Sequence, residues 1–469
     1  MNVADLGLPV DVPSTALFTD QYELTMLRAA LKAGTAGRRS VFEVFTRRLP
    51  DGRRYGVVAG TGRVLDAVEN FRFDADLLRF LREKDIVDEE TLDWLARYRF
   101  SGDIWGYPEG EVYFPGSPIM RVEGTFGECV LLETVILSIL NHDSAIAAAA
   151  SRMASAAGDR PLIEMGARRT HELAAVAAAR SAYVGGFATT SDLAAGFRYN
   201  IPTVGTSAHA FTLLHDNERD AFRAQVDALG RDTTLLVDTY DVGEAVRTAV
   251  EIAGPELGAV RIDSGDLLLV AHRVRQQLDE LGATETKIVV TSDLDEYAIA
   301  SLAAAPVDAY GVGTQLVTGS GHPTASMVYK LVARAESGDS GDSTGSAGFT
   351  GSVGFTGSAG GEVPLVPVAK KSSGGKTSIG GRKWAARRLD AHGYAEAEVV
   401  GTGPVPADLA DRQLLVELVK GGEVVAREPL DAARDRHAAA RANLPLSATQ
   451  LSRGEPVIPT EYAHGGSGS

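Results

Sequence analysis

Four short glycine-bearing segments, each at the end of an apolar run, carry side chains that could do chemistry. Residues 204–209 (VGTSAH) place two hydroxyls, Thr206 and Ser207, beside the imidazole of His209. A neutral imidazole can act as base or nucleophile, although a lone histidine is more often a satisfied structural group. Residues 260–266 (VRIDSGD) put Arg261, Asp263 and Asp266 around Gly265. Carboxylates so placed suit ribose hydroxyls or the waters of a magnesium ion. The same turn could simply cap the next helix through Ser264 or Asp266, and the two readings are compatible. Residues 310–318 (YGVGTQLVT) offer Gly311, Gly313 and the hydroxyl of Thr314, the makings of a phosphate cradle. They lack the Walker lysine and the full G-x-G-x-x-G spacing. Residues 164–169 (EMGARR) add Arg168 and Arg169, whose forks fit phosphate or carboxylate. A fifth stretch, 370–388 (KKSSGGKTSIGGRKWAARR), reads either as a solvated basic face or as a lid over an anionic substrate. No H-E-x-x-H and no G-x-S-x-G elbow occurs, so zinc-protease and serine-hydrolase chemistry have no motif here. The residues alone support a magnesium-assisted phosphate or sugar-phosphate site.

Such loops must be held by regular elements. Short apolar runs at 162–165, 203–204, 234–237, 259–262, 288–290 and 309–312 alternate with helical patterns at 216–228, 243–253, 267–281 and 296–304. Strand, loop and helix repeated at this spacing predict a parallel α/β barrel, with its chemistry in the loops after the strands, or an open doubly wound sheet. Before it, 17–33 reads as a helix capped by Thr19, 40–45 as a strand, 74–98 as helical and 128–153 as a long helix. After it, 363–368 and 395–400 read as strands and 408–451 as mostly helical with strand segments. The organisation expected is an N-terminal α/β domain (1–127), an α/β barrel (128–335), a Gly/Ser-rich flexible loop (336–361) and a C-terminal segment (362–469).

The 469 residues are 44% hydrophobic and carry a net charge of −16, which argues against a nucleic-acid partner and requires a local basic pocket for any anion. The single cysteine, Cys129, excludes an internal disulfide framework. There is no basic and apolar leader, and the apolar stretch at 129–140 is interrupted by Glu133 and too short to span a bilayer. No membrane association and a cytoplasmic location are expected.

Taken together and in order, TDQYELTM (19–26), FEVFTRRLP (42–50), LLETVILSILNHDS, EMGARR, YVGGFATTSDLAAG, PTVGTSAHAF, VDTYD, VRIDSGDL, TSDLDE, GVGTQLVT and VYKLV resemble the nicotinate phosphoribosyltransferases. The resemblance covers nearly everything up to Ala333 and is loose after Gly401. It implies the type II phosphoribosyltransferase fold: an irregular (β/α) barrel plus an N-terminal α/β domain to which the C-terminal chain returns. It also implies a homodimer with shared active sites. The activity implied is the ATP-dependent joining of nicotinate to phosphoribosyl pyrophosphate, a C–N bond-forming ligase or glycosyltransferase reaction in NAD salvage.

By the same matching, His209 is the residue transiently phosphorylated by ATP, and Asp238 in VDTYD orients it. Tyr22 stacks on the pyridine ring from the partner subunit, and Thr206, Arg261 and Arg168 surround the nicotinate. Gly311, Gly313 and Thr314 hold the 5-phosphate, while Asp263 and Asp266 engage ribose and Mg2+, directly or through water. A quinolinate enzyme would need a more basic pocket and no such histidine. A nicotinamide enzyme would differ only around Tyr22, Thr206 and Arg261. A silent homologue that senses phosphoribosyl pyrophosphate is disfavoured by His209, the two aspartates and Thr314.

Overall fold

The computed structural model of the protein describes residues 14–336, 364–370 and 378–463. The motif-bearing half is a six-stranded parallel sheet in the order Thr189–Thr190, Leu162–Glu164, Ala309–Val312, Lys287–Val290, Ala259–Ile262, Thr234–Leu236. The last of these six strands in chain order, Ala309–Val312, pairs with the first of them, Leu162–Glu164. That return is how an α/β barrel begins to close. Thr203 adds a single parallel bridge to Thr190, but no ladder joins it to Thr234–Leu236 among the described residues. The strands therefore curl into a half-barrel with one seam open, an irregular barrel rather than a flat doubly wound sheet.

Strand composition explains the two-sided burial. Val260, Ile262, Ile288, Val290, Tyr310 and Val312 are wholly buried under the surrounding helices. The alternate positions Ala259, Val289 and Ala309 make a small inner cluster with Ile163. A period of two places Arg261 and Gly311 on that inner side, at the mouth of the barrel. The long helix Glu133–Ala157 packs its alanine-rich end against Glu172–Val184; a Cβ on Gly185 would lie 2.5 Å from that of Ala150, so only glycine permits the approach. Phe126–Ala157 is long and apolar enough to cross a membrane by length and composition alone, and two-thirds of its most apolar window is buried as a core helix.

The other half is a seven-stranded antiparallel sheet: Leu365–Pro367, Met327–Ala335, Arg39–Thr46, Met120–Thr125, Asp103–Gly106, Val416–Lys420, Glu423–Val424. The C-terminal chain returns to it as expected. Met327–Ala335, grouped with the barrel in the sequence reading, pairs along its length with Arg39–Thr46. By pairing, then, the barrel ends before Met327. A further sheet, Lys383–Leu389, Ala395–Thr402 and Thr460–Ala463, lies beside it.

Local expectations differ in four places. The first helix runs Gln21–Lys32 with Asp20 at its cap position, and Thr19 instead donates its hydroxyl to Glu23. Residues 74–98 form two helices, Ala75–Glu83 and Glu89–Ala96, divided near Asp85 at φ 50°. Within 408–451 the expected strand segments are Val416–Lys420 and Glu423–Val424, but only Leu430–Ala442 is α-helical, the rest of the expected helix being two 3-10 turns and loop. Residues 383–388 are neither a solvated face nor a lid. They form a core strand in which Lys383 pairs with Glu43 at 2.9 Å and Arg387 with Glu398 at 2.7 Å, with Trp384 buried among Ala386, Ala397 and Val399. The Gly/Ser-rich segment lies, apart from Glu336, outside the described residues.

Candidate active site

Glycine shapes the loop after Ala259–Ile262. Gly265 sits at φ +88°, which lets the chain turn straight from Asp263 into the helix Leu267–Glu280. In that turn Asp263 and Ser264 face the loop after Thr234–Leu236: the Asp263 N–H and the Ser264 hydroxyl donate to Asp238 Oδ2 at 3.0 and 2.6 Å. The other oxygen, Asp238 Oδ1, lies 3.1 Å from His209 Nε2. Asp238 is 2% exposed whereas His209 is 42% exposed. A buried, three-fold anchored carboxylate thus fixes an open imidazole. Since the carboxylate only accepts, Nε2 is the donor in this contact, and in the neutral ring that leaves Nδ1 as a lone pair.

His209 opens the helix His209–Leu214, and its loop crosses the open seam of the barrel. Arg261 completes that crossing. Its Nη1 donates to Thr206 Oγ1 at 2.9 Å, Nε to Thr291 Oγ1 at 2.9 Å and Nη2 to Asp263 Oδ1 at 3.1 Å. Burial pushes the Asp263 carboxyl up, but the Thr291 hydroxyl and the Arg261 guanidinium outweigh it and hold the group below the usual carboxylate range. Side chains therefore close the seam that backbone pairing leaves open.

Beside this array a cleft of about 240 Å³ is lined by Arg168, Arg261, Asp263, Gly311, Gly313 and Thr314, six of the residues expected from sequence. Met165, Arg169, Thr291, Ser292 and Asp293 complete the lining. A Cβ on Gly311 would meet Thr291 Cγ2 at 2.5 Å and Met165 Sδ at 2.7 Å, so the strand end admits no side chain there. Three arginines against two aspartates give the cleft a positive balance inside a chain of net charge −16. Glu164 lies beneath the arginine loop, 1% exposed, accepting from the Thr190 hydroxyl and the Gly166 N–H, while burial pushes its carboxyl up.

Thr206, His209 and Asp238 stand next to the lining through these hydrogen bonds. Asp266 does not line the cleft: its Oδ1 accepts from the Leu269 N–H at 3.2 Å and caps the following helix. Tyr22 is also apart. It is 43% exposed on the first helix, facing Glu133, where burial and neighbouring acids hold its hydroxyl above the ordinary range. Thr291, Ser292 and Asp293 were legible in principle, because TSDLDE follows an apolar run in the same way as DSGD does.

The model of the nicotinate phosphoribosyltransferase N-terminal domain matches residues 17–141, and that of the nicotinate phosphoribosyltransferase family matches residues 161–336. The chain is 55% identical over 464 residues to nicotinate phosphoribosyltransferase pncB1 of Mycobacterium tuberculosis, covering 97% of this chain and 96% of that protein. It is 39% identical to nicotinate phosphoribosyltransferase of Bacillus subtilis over 340 residues, 70% of this chain and 69% of the other. Among solved structures, human nicotinic acid phosphoribosyltransferase superposes with a TM-score of 0.75 at 24% identity, covering 95% of this chain and 98% of that one. Nicotinate-nucleotide pyrophosphorylase from Pyrococcus furiosus gives 0.70 at 23% identity, over 92% and 96% of the two chains. These two likenesses establish the common fold.

Proposed function

Because the chain belongs to the nicotinate phosphoribosyltransferase family, we propose that it joins nicotinate to C1 of 5-phosphoribosyl 1-pyrophosphate in NAD biosynthesis, releasing pyrophosphate, with ATP hydrolysis coupled through His209. The observation that carries the coupling is the anchored imidazole: Asp238 holds the proton on Nε2, and Nδ1 is left to attack the γ-phosphorus of ATP. The bond from that phosphorus to the bridging oxygen breaks and ADP leaves. Water later returns the phosphoryl group as inorganic phosphate.

Arg261 is the cation for the nicotinate carboxylate, with Thr206 beside it and Arg168 in the same lining. Gly311, Gly313 and Thr314 take the 5-phosphate. For magnesium the donor set is hard oxygen: Asp263 Oδ1 is engaged by Arg261 and Thr291, and Asp293 shares the lining. No group of three or more acidic, histidine or cysteine side chains able to hold a metal occurs among the described residues. These residues fit an ion that shares its shell with substrate pyrophosphate and water, with Asp263 as its principal protein partner and Asp266 acting through water. When bound, the ion neutralises the leaving pyrophosphate.

A homodimer accounts for Tyr22. Leu17, Phe18 and Tyr22 form an exposed apolar group on one side of the chain. Phe197, Leu213, Leu214, Tyr240 and Leu269, on the helices and loops that follow Thr189–Thr190, the Thr203 bridge, Thr234–Leu236 and Ala259–Ile262, are exposed as well. Packing one group on the other brings the partner subunit's Tyr22 to the nicotinate.

The test is product formation by mass spectrometry from phosphoribosyl pyrophosphate and magnesium, with nicotinate, nicotinamide or quinolinate, each with and without ATP. Mononucleotide from nicotinate, strongly stimulated by ATP, is expected. His209→Ala should keep slow ATP-independent synthesis and lose the stimulation. Product from another base, or unchanged stimulation in the variant, overturns the specificity or the coupling respectively.

A further inference from the structure

Outside the cleft, a buried charge cluster joins both halves of the molecule at Glu296. This residue begins the short helix Glu296–Ser301 and is 2% exposed. Its Oε1 accepts from Arg53 Nη1 at 2.9 Å and from Arg152 Nε at 3.0 Å, and its Oε2 from the Ser320 hydroxyl at 2.7 Å. Arg53 comes from the loop after Arg39–Thr46, and Arg152 from the long core helix. Burial pushes the Glu296 carboxyl up, but Arg53 and Ser320 more than offset it, so the group is held below its usual range and stays ionised.

What Glu296 touches matters because of where those segments lead. Three residues before it, Asp293 lines the cleft together with Ser292 and Thr291. On the other side, Ser320 belongs to the turn after Thr314–Val317, and Arg53 Nη2 also donates to Gly319 O in that turn at 2.8 Å. One carboxylate therefore ties down the stems of both loops on that wall of the cleft. The upstream end of the first loop is fixed separately, since Thr291 donates to Asp263 and accepts from Arg261.

Neither the loop between these two anchors nor the turn that holds Ser320 is relaxed. Ser292 has φ 140° and Ser320 φ 51°, both in the region that favours glycine, yet neither is glycine. Leu294 folds back so that its N–H donates to Ser292 O at 2.8 Å, and its side chain is 2% exposed. Conformations of this kind persist only where the surroundings over-determine them, and they concentrate at ligand clamps. Here the surroundings are Thr291 at one end and the Glu296 cluster at the other.

We propose that Glu296 is a positioning residue for the phosphoribosyl side of the cleft, holding Thr291–Asp293 and Gly313–Thr314 in register through Arg53, Arg152 and Ser320. It touches no substrate. The inference rests on the reading of the cleft as the phosphoribosyl pyrophosphate site, and on nothing about the nicotinate side, where Arg261 and Thr206 have their own anchors.

Two variants test it. Glu296→Gln removes the charge under two arginines, and Ser320→Ala removes one hydrogen bond while leaving the ion pairs whole. Initial rates are measured with each substrate varied in turn, alongside thermal unfolding. Glu296→Gln should raise KM for phosphoribosyl pyrophosphate about tenfold and Ser320→Ala about threefold, with KM for nicotinate within about twofold of the parent. Ser320→Ala should melt only a few degrees below the parent, since the two ion pairs remain. Equal rises in both KM values, or a lower melting temperature in both variants with KM unchanged, overturn the positioning role. If the parent itself makes no nucleotide from phosphoribosyl pyrophosphate, it is the underlying reading of the cleft that fails, and the two failures are distinct.

Discussion

Two of the regions in which arginine or lysine meets carboxylate show opposite outcomes. At the barrel mouth Arg261 and Asp263 are 13% and 29% exposed, and Arg168 and Arg169 stand open to solvent beside them. Between the antiparallel sheet and its neighbour, Lys383 and Glu43 are 3% and 2% exposed and satisfy one another at 2.9 Å. The cleft pairs sit at or just beyond a strand end, where the next atoms are loop and solvent. The buried pair joins the middle of one strand to the start of another. A charge meant for a ligand is left with capacity to spare, whereas a charge inside a sheet is matched within the protein, since an unmatched one there is expensive.

The largest consequence falls on the buried side. Lys383→Ala strands Glu43 without its counter-charge, and removing one member of such a pair costs about 3–5 kcal/mol. Urea unfolding should show that loss. The double variant Glu43→Leu with Lys383→Met should recover most of it, because neither charge then remains to be solvated. A loss under about 1 kcal/mol in the single variant would mean that water reaches Glu43 and that the contrast between the regions is one of degree.

Acid acts next, again on the buried side. His437, 2% exposed on the helix Leu430–Ala442, lies 3.2 Å from Gly110 O through Nδ1 and 2.8 Å from the Ser151 hydroxyl through Nε2. Burial, helped by Arg441, pushes it down to about 4 from an ordinary 6.5. The unfolded chain therefore takes up a proton that the folded chain refuses. The stability this neutral ring contributes is whole above pH 6.5, falls as the pH drops toward 4 and levels off below that, about 3 kcal/mol in all. His437→Gln should flatten the unfolding free energy across this window relative to the parent. Parallel curves would mean that other groups carry the acid sensitivity.

On the exposed side effects should appear in turnover instead. Arg261→Ala should lower kcat/KM for nicotinate by about thirtyfold, the worth of one charge-assisted hydrogen bond to a carboxylate, and lower it less for nicotinamide. The melting temperature should stay within about 2 °C, since the cleft carries little of the core. Equal losses for the two bases would remove Arg261 from carboxylate recognition and make it a brace for the seam alone.

The same contrast explains what could be read from the residues. The parallel strands were legible because runs such as KIVV and AVRI are mostly apolar and bounded by glycine or polar turns, and the site loops followed from their ends. Lys383–Leu389 was not. Its charges are spaced as in a solvated stretch, and only Glu43, far away in sequence, and Glu398, across the strand pair, reveal that they are buried. Met327–Ala335 could be read as a strand-like run but not as belonging to Arg39–Thr46, because long-range pairing leaves no local mark. Nor does sequence show that the barrel seam stays open, or that Glu296 meets Arg53 and Arg152 from three separate segments. Pattern reports the period of an element and its ends; it does not report which partner saturates a charge.

Asp266 sits on the border between the two behaviours and separates them most finely. Its Oδ1 caps Leu267–Glu280, a job inside the protein, while the proposed function gives it a second job, toward magnesium. The two jobs need different atoms. Capping needs an oxygen acceptor, which asparagine also has; an electrostatic hold on a hydrated cation needs the charge. Asp266→Ala should thus lose about 1 kcal/mol of stability, and Asp266→Asn almost none. If the carboxylate also acts on magnesium through water, half-saturating magnesium should rise about threefold in both variants, alike, because both lack the charge. A rise confined to the alanine variant would trace to the frayed helix. No rise in either would make Asp266 a cap alone and leave Asp263 as the aspartate of that loop which faces the ligand.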